Sequence, residues 1–325
     1  MAKVAFIFPG QGSQALGMMN SFESVPLVRD VLDEASEVLG ENIGRLISDG
    51  PVEKLNLTTY TQPVLLACSL AIWRLYRKNQ LTGLPSFLAG HSLGEYSALT
   101  AAGCIGFSSA VAFVKFRAEA MQDAVPENVG GMAAVIGVTE ECVENICKSV
   151  RENNKHKLCE KNANTETVEV ANINTGKQTV ISGSNSLLDS VAEKIIQLGK
   201  TARVVKLPVS APFHSSLLAP AKIKLEHKLN EIELCDPVIP VLSNVTAKPY
   251  KGINEIRELL PLQAISPVLW KSTVETMIRS GIETFVECGP GRVLSGLIKQ
   301  IDRSVKIYNF KDYDSFNKAM ESLNV

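Results

Sequence analysis

The chain predicts an α/β protein, a parallel sheet wrapped by helices with a small βαββαβ unit inserted into it. Short apolar runs bounded by Gly and Pro alternate with amphipathic stretches through residues 1–125 and again after about residue 206, the rhythm of strands with covering helices. The middle of the chain has a different rhythm, in which single strands and helices flank a strand pair. Residues 90–94 read Gly-His-Ser-Leu-Gly between the apolar run Ser86–Ala89 and a helical stretch from Glu95, in the order strand, tight turn, helix.

Taken in order, Val4–Phe8 is the first strand and Phe87–Ala89 the second, followed in the same sheet by Val238–Leu242, Phe285–Glu287 and Lys306–Phe310. Phe107–Met121 reads as helix. In the middle, Gly131–Gly137 is a strand, Thr139 caps a helix through Cys147, and Thr167–Ile173 with Gln178–Gly183 form a strand pair. A helix over Asn185–Leu198 and a strand over Ala202–Leu207 complete a ferredoxin-like unit. The expected division is 1–128 with 206–325 for the larger unit and 129–205 for the smaller. Arg151–Glu166, rich in Asn, Lys and Glu, reads as a solvated loop. No fixed-period repeat is present.

At 325 residues, with 45% hydrophobic content and a formal net charge of -1, the chain can bury a large core and offers no bulk field for nucleic acid. Its seven cysteines are odd in number and form no C-x-x-C pair, which predicts a reducing compartment and no structural zinc. The first strand starts at Val4, leaving no room for a targeting peptide, so a cytoplasmic protein is expected, or an organelle protein whose leader has been removed; a monomer is expected as well. No apolar stretch reaches membrane-spanning length uninterrupted.

The G-x-S-x-G pattern is common by chance in Gly- and Ser-rich loops, but between a strand and a helix it reads as a nucleophile elbow. Such a turn lifts the Ser92 hydroxyl out of the backbone and aims the Leu93 amide at the same point, as half of an oxyanion hole. A serine hydroxyl needs a base, and four histidines exist. His156 lies in the polar loop and His227 in a charged helical run, whereas His91 adjoins Ser92 but points elsewhere, to pack or hydrogen-bond beneath the elbow. His214 follows Pro208-Val209-Ser210-Ala211-Pro212-Phe213, an extended stretch at a strand end, and is the favoured base by elimination. No Asp stands out by motif to orient it, which leaves a backbone or amide oxygen for that work. The turn Pro9-Gly10-Gln11-Gly12 after the first strand makes the Gln11 amide the natural second oxyanion donor. Arg117 falls on the apolar stripe of the 107–121 helix with Met121, so its guanidinium must find an anion, an internal carboxylate or a substrate's. A fork of donors near a serine nucleophile suits the free carboxylate of a dicarboxylic acyl group.

These stretches resemble the malonyl-CoA:acyl carrier protein transacylases of dissociated fatty acid synthesis, and are similar also to the acyltransferase domains of polyketide synthases. The resemblance is carried by FPGQGSQ at 8–14, GHSLGEYSAL at 90–99, Arg117 with Met121-Gln122, GGMAAVIG at 130–137, VANINTGKQTVISG at 170–183, APFHSSL at 211–217, SNVTA at 243–247 and ECGPGRVLSGL at 287–297. It implies an α/β-hydrolase-like sheet, with Ser92 as nucleophile, His214 as base, the Gln11 and Leu93 amides as oxyanion hole, and Arg117, beside Met121, as carboxylate clamp. It further implies that the main-chain oxygen of Gln263 orients the histidine. Asn172 and the turn near Gly183 would line the mouth for a pantetheine arm, and Phe213 would crowd out an α-methyl branch. The implied substrates are malonyl-CoA and acyl carrier protein, with no metal or redox cofactor; a serine esterase or thioesterase would share Ser92 and His214 but hand the acyl group to water. The polar insertion at 151–166 departs from the family's pattern.

Overall fold

A computed structural model describes residues 3–80, 83–126, 128–155, 166–199 and 201–323. In chain order it contains β1 (Val4–Phe8), α1 (Pro26–Leu39), α2 (Ile43–Asp49), α3 (Val52–Leu55), α4 (Thr58–Asn79), β2 (Phe87–Gly90), α5 (Leu93–Ala101), α6 (Phe107–Asp123) and β3 (Gly130–Ile136). These are followed by α7 (Glu140–Lys155), β4 (Val168–Thr175), β5 (Gln178–Ser184), α8 (Asn185–Ile196), β6 (Arg203–Lys206), α9 (Ala219–Asn230) and α10 (Ile253–Leu262). The chain ends with α11 (Trp270–Arg279), β7 (Thr284–Glu287), α12 (Val293–Ile301), β8 (Lys306–Asn309) and α13 (Tyr313–Leu323).

The first sheet has the order β2-β1-β7-β8, parallel throughout. Parallel strands need cover on both faces, and β1 alternates to provide it. Phe6 and Phe8 meet Trp73 and Tyr76 of α4 on one side, while Ala5 and Ile7 pack with Trp270, Met277, Leu294 and Ile298 of α11 and α12 on the other. Helix α4 is buried along most of its length, and Gln62 in its second turn is a buried polar residue that the site uses.

Val238–Leu242 is not the expected strand. Pro240 has no N–H to give a ladder, so the segment makes a single bridge to β2, with Leu88 N–H donating to Pro240 O at 2.9 Å and Leu242 N–H to Leu88 O at 3.0 Å. The chain then enters the site at Ser243-Asn244.

The second sheet, β4-β5-β3-β6, is antiparallel throughout. Helices α7 and α8 cover one face around Val135, Val143, Cys147, Ile181 and Leu188. With its strand–helix order this is the ferredoxin-like unit, carried by an α/β-hydrolase-like sheet. Alternation sends Met132, Ala134, Ala171 and Val180 the other way, into the main core. A parallel bridge of Asn172 with Val268, closed by Ile173 N–H to Val268 O at 2.9 Å, ties the two sheets together. Helix α7 runs beyond Cys147 to Lys155 because Val150 continues its buried stripe, so Arg151–Lys155 is helical rather than loop. The rest of the polar segment, 156–165, lies outside the described residues, with His156 and Cys159. No helix among the described residues is long and apolar enough to cross a membrane.

Candidate active site

The turn between β2 and α5 is as tight as its glycines allow. A Cβ on Gly90 would run into the carbonyl of Gly94, and one on Gly94 into the carbonyl oxygen of Phe8 in β1. Between them Ser92 takes φ 52° and ψ −106°, a conformation that costs ~1–3 kcal/mol and persists only where neighbours over-determine it. Asn244 supplies that constraint: its Oδ1 accepts the Ser92 N–H at 2.8 Å and its Nδ2 donates to Gly90 O at 2.7 Å. Gln263 Nε2 donates to Ser92 O at 2.9 Å.

The Ser92 hydroxyl donates to His214 Nε2 at 2.8 Å, and His214 Nδ1–H donates to the Gln263 carbonyl at 2.8 Å. A carbonyl only accepts, so the proton sits on Nδ1 and Nε2 is left as a base. Burial, reinforced by the Arg117 charge, lowers the His214 pKa to about 3, which keeps the ring neutral. His214 itself has φ 60°. The loop that follows is pinned to the small sheet, where Ser216 N–H and Oγ donate to Glu169 of β4 at 2.7 and 2.9 Å. His91 points away from the hydroxyl: its Nε2–H donates to Asn174 Oδ1 at 2.9 Å and its ring packs near Trp270. His227 is exposed on α9.

Arg117 reaches the site from α6 and is buried. Its Nη1 donates to Gln62 Oε1 at 2.6 Å, and its Nη2 donates to Gln263 Oε1 at 2.9 Å and to Ser92 Oγ at 3.2 Å. The guanidinium lies over the Tyr96 ring at 4.9 Å, and its Nε has no hydrogen-bond partner. Every group that holds this cation is neutral. The internal carboxylate that the sequence leaves open as an ion-pair partner is not in contact with it.

Ser92, His214, Gln11, Leu93, Arg117, Met121, Asn172 and Phe213 all line one cavity of about 100 Å³. Gln263 lies beneath it, fully buried, and acts on the site through its hydrogen bonds. Leu93 is the first residue of α5, so its N–H is one of the helix's free donors. Gln11 is anchored by Nε2 to Thr58 Oγ1 at 3.1 Å. Its loop lies against the elbow because Gly10 has no Cβ to meet His91 O. Gly183 sits inside β5, paired with Gly131 and Val168, and is not on the cavity wall. Among the described residues no cluster of His, Cys, Asp and Glu could hold a metal.

Sequence reasoning passed over Asn244, Gln62 and Glu95. Each has a local signal: a polar side chain at the head of the apolar run Pro63–Cys68 for Gln62, a carboxylate one turn past the elbow serine for Glu95, and the SNVTA run for Asn244.

A strained serine at a strand–helix turn, hydrogen-bonded to a neutral histidine and placed beside a free helix amide, is the arrangement that serine-dependent acyl transfer uses on an α/β sheet. The chain belongs to the acyl transferase domain family, whose model matches residues 5–314, and is an acyltransferase. It is 39% identical over 324 residues to the malonyl CoA-acyl carrier protein transacylase of Bacillus subtilis (strain 168), an alignment that covers 99% of this chain and 98% of the relative. A solved acyl-carrier-protein S-malonyltransferase of Burkholderia pseudomallei 1710b superposes with a TM-score of 0.91 at 43% identity, covering 98% of this chain and 99% of that one. A malonyl-transacylase solved in complex with a type II PKS acyl-carrier protein gives 0.92 at 39% identity, covering 99% and 100%.

Proposed function

We propose that the protein transfers malonyl from malonyl-CoA to the phosphopantetheine thiol of acyl carrier protein through a malonyl-Ser92 ester, supplying malonyl carrier for fatty acid elongation. In the first half, Ser92 Oγ attacks the thioester carbonyl while its proton passes to His214 Nε2. The developing oxyanion is met by the Leu93 and Gln11 amides. Collapse breaks the carbon–sulfur bond, and His214 returns the proton to the departing coenzyme A thiolate. The second half runs in reverse with the carrier thiol as nucleophile. The route needs no cofactor beyond its two substrates.

The observation that carries this reading is Arg117, a buried guanidinium with only neutral partners, 3.2 Å from the nucleophile. No carboxylate among the described residues touches the guanidinium, so a malonyl carboxylate of a Ser92 ester could meet it directly through a forked contact. Phe213 is on the cavity wall with His214, and on this reading its bulk would oppose an α-methyl branch on the acyl group.

Incubation with malonyl-CoA and no carrier is expected to leave one malonyl group on Ser92, detected by intact mass and peptide mapping, and adding holo carrier protein should discharge it to the carrier thiol. Ser92→Ala should abolish the adduct. An adduct on a cysteine, or discharge to water at the same rate with and without carrier, would overturn the proposal.

A further inference from the structure

Glu95 lies on α5 one turn past the nucleophile and is fully buried. Its Oε1 accepts the Asn244 N–H at 3.0 Å and the Tyr250 hydroxyl at 2.6 Å, and its Oε2 accepts Gln263 Nε2–H at 2.5 Å. Every partner donates. That pattern suits an ionised carboxylate; a protonated one would have the Tyr250 hydroxyl oxygen as its acceptor among these partners, and only if that hydroxyl gave up its own donation. A buried carboxylate without a cation is as unfavourable as a buried guanidinium without an anion, and the site contains one of each.

One side chain joins them. Gln263 Oε1 accepts from Arg117 Nη2 at 2.9 Å, while Gln263 Nε2 donates to Glu95 Oε2 at 2.5 Å. The amide dipole therefore points its negative end at the cation and its positive end at the anion. The other buried carboxylate among the described residues, Glu287, accepts the Leu294 and Ser295 amides at the start of α12 and serves that helix instead.

We infer that Glu95 is the remote counter-ion of Arg117, coupled to it through the Gln263 side-chain amide, a positioning residue that balances the charge of the buried site while leaving the guanidinium free of direct carboxylate contact. A direct ion pair would compete with an incoming carboxylate, and no anion at all would leave the empty site with an uncompensated charge; the amide spacer avoids both. This functional consequence rests on the proposed reading of Arg117 as receptor for the acyl carboxylate. The charged and titratable groups facing Glu95 are Arg117 from α6, Tyr250 from the segment before α10 and Tyr96 from its own helix. Burial raises the Glu95 pKa to about 7, against the pull of Tyr250, Asn244, Gln263 and Arg117. The counter-ion is therefore present at mildly alkaline pH and neutralised well below neutrality.

A double-mutant cycle on unfolding, with Glu95→Gln, Arg117→Met and both together, tests this with no acyl-CoA present. It therefore stands or fails independently of whether malonyl loads Ser92. At about pH 8 the double variant should have an unfolding constant at least about tenfold smaller than the two single effects predict. At about pH 5.5, where wild type holds Glu95 protonated, the effects should combine to within about threefold. Independent effects at both pH values, or a coupling that does not change with pH, would overturn the inference. Should Glu95→Gln alone fail to fold, recovery of a folded chain on adding Arg117→Met at pH 8 supports it, and a double variant no better than Glu95→Gln overturns it.

Discussion

His214 and Glu95 are buried titratable side chains of one site, and burial moves them in opposite senses along the pH axis. His214 falls from 6.5 to about 3, so the unfolded chain binds the extra proton between those values and the stability that the neutral ring contributes above pH 6.5 is lost as pH falls. Glu95 rises from 4.5 to about 7, so the native state binds the extra proton, and the contribution present below pH 4.5 is lost as pH rises through 7. Between about pH 4.5 and 6.5 the two slopes, each about 1.4 kcal/mol per pH unit, oppose each other. Glu95→Gln should therefore make unfolding free energy climb with pH across that window relative to wild type, as read by urea titrations at several pH values; parallel curves would show that Glu95 does not titrate there. The contact between Ser92 and His214 is legible in the sequence because an elbow needs small residues at fixed spacing and few histidines compete for the place beside it. Asn244 and Glu95 are not, since their roles depend on segments about 150 residues apart meeting under the turn, as the Asn244 N–H to Glu95 contact shows.

At the scale of elements, the site depends on how closely β1, β2 and α5 approach. Gly94 sits against Phe8 O of β1, and a methyl there meets backbone that cannot swing aside. Gly94→Ala should lower unfolding free energy by about 3 kcal/mol with an unchanged urea slope. Gly176→Ala, whose added methyl meets nothing, should stay within about 0.5 kcal/mol of wild type. A Gly94→Ala variant as stable as wild type would contradict this account of the elbow. The same close packing explains which elements could be read in advance. Strands with a clean apolar run, such as β1 and β7, follow from the pattern, and so does the order of the small antiparallel unit. Val238–Leu242 does not, because hydropathy favours a strand there while Pro240 removes the donor that a ladder needs. The end of α7 is not legible because the polar composition from Lys148 onward masks a buried stripe that Val150 still extends.

Across the whole molecule, the cavity belongs to neither sheet alone: Ser92, Leu93 and Arg117 come from the parallel-sheet unit, and Met132 and Asn172 from the small sheet that closes over them. The bridge from Asn172 to Val268 and the Ser216–Glu169 contacts fix that closure next to the base. Within this enclosure lies the Arg117 guanidinium, on the proposed reading the group that separates a transferase for dicarboxylic acyl groups from a generic serine hydrolase, and the most direct test of the account is to remove it. With kcat/KM measured for malonyl-CoA and acetyl-CoA, Arg117→Ala should lose about 10²-fold or more on malonyl-CoA, the order expected for two charge-assisted hydrogen bonds of roughly 1.5–3 kcal/mol each. Acetyl-CoA, which brings no anion to the buried cation, should be spared or improved, so that the preference inverts. An equal loss on both substrates would mean that Arg117 only holds the site together, and would contradict its reading as the receptor for the malonyl carboxylate.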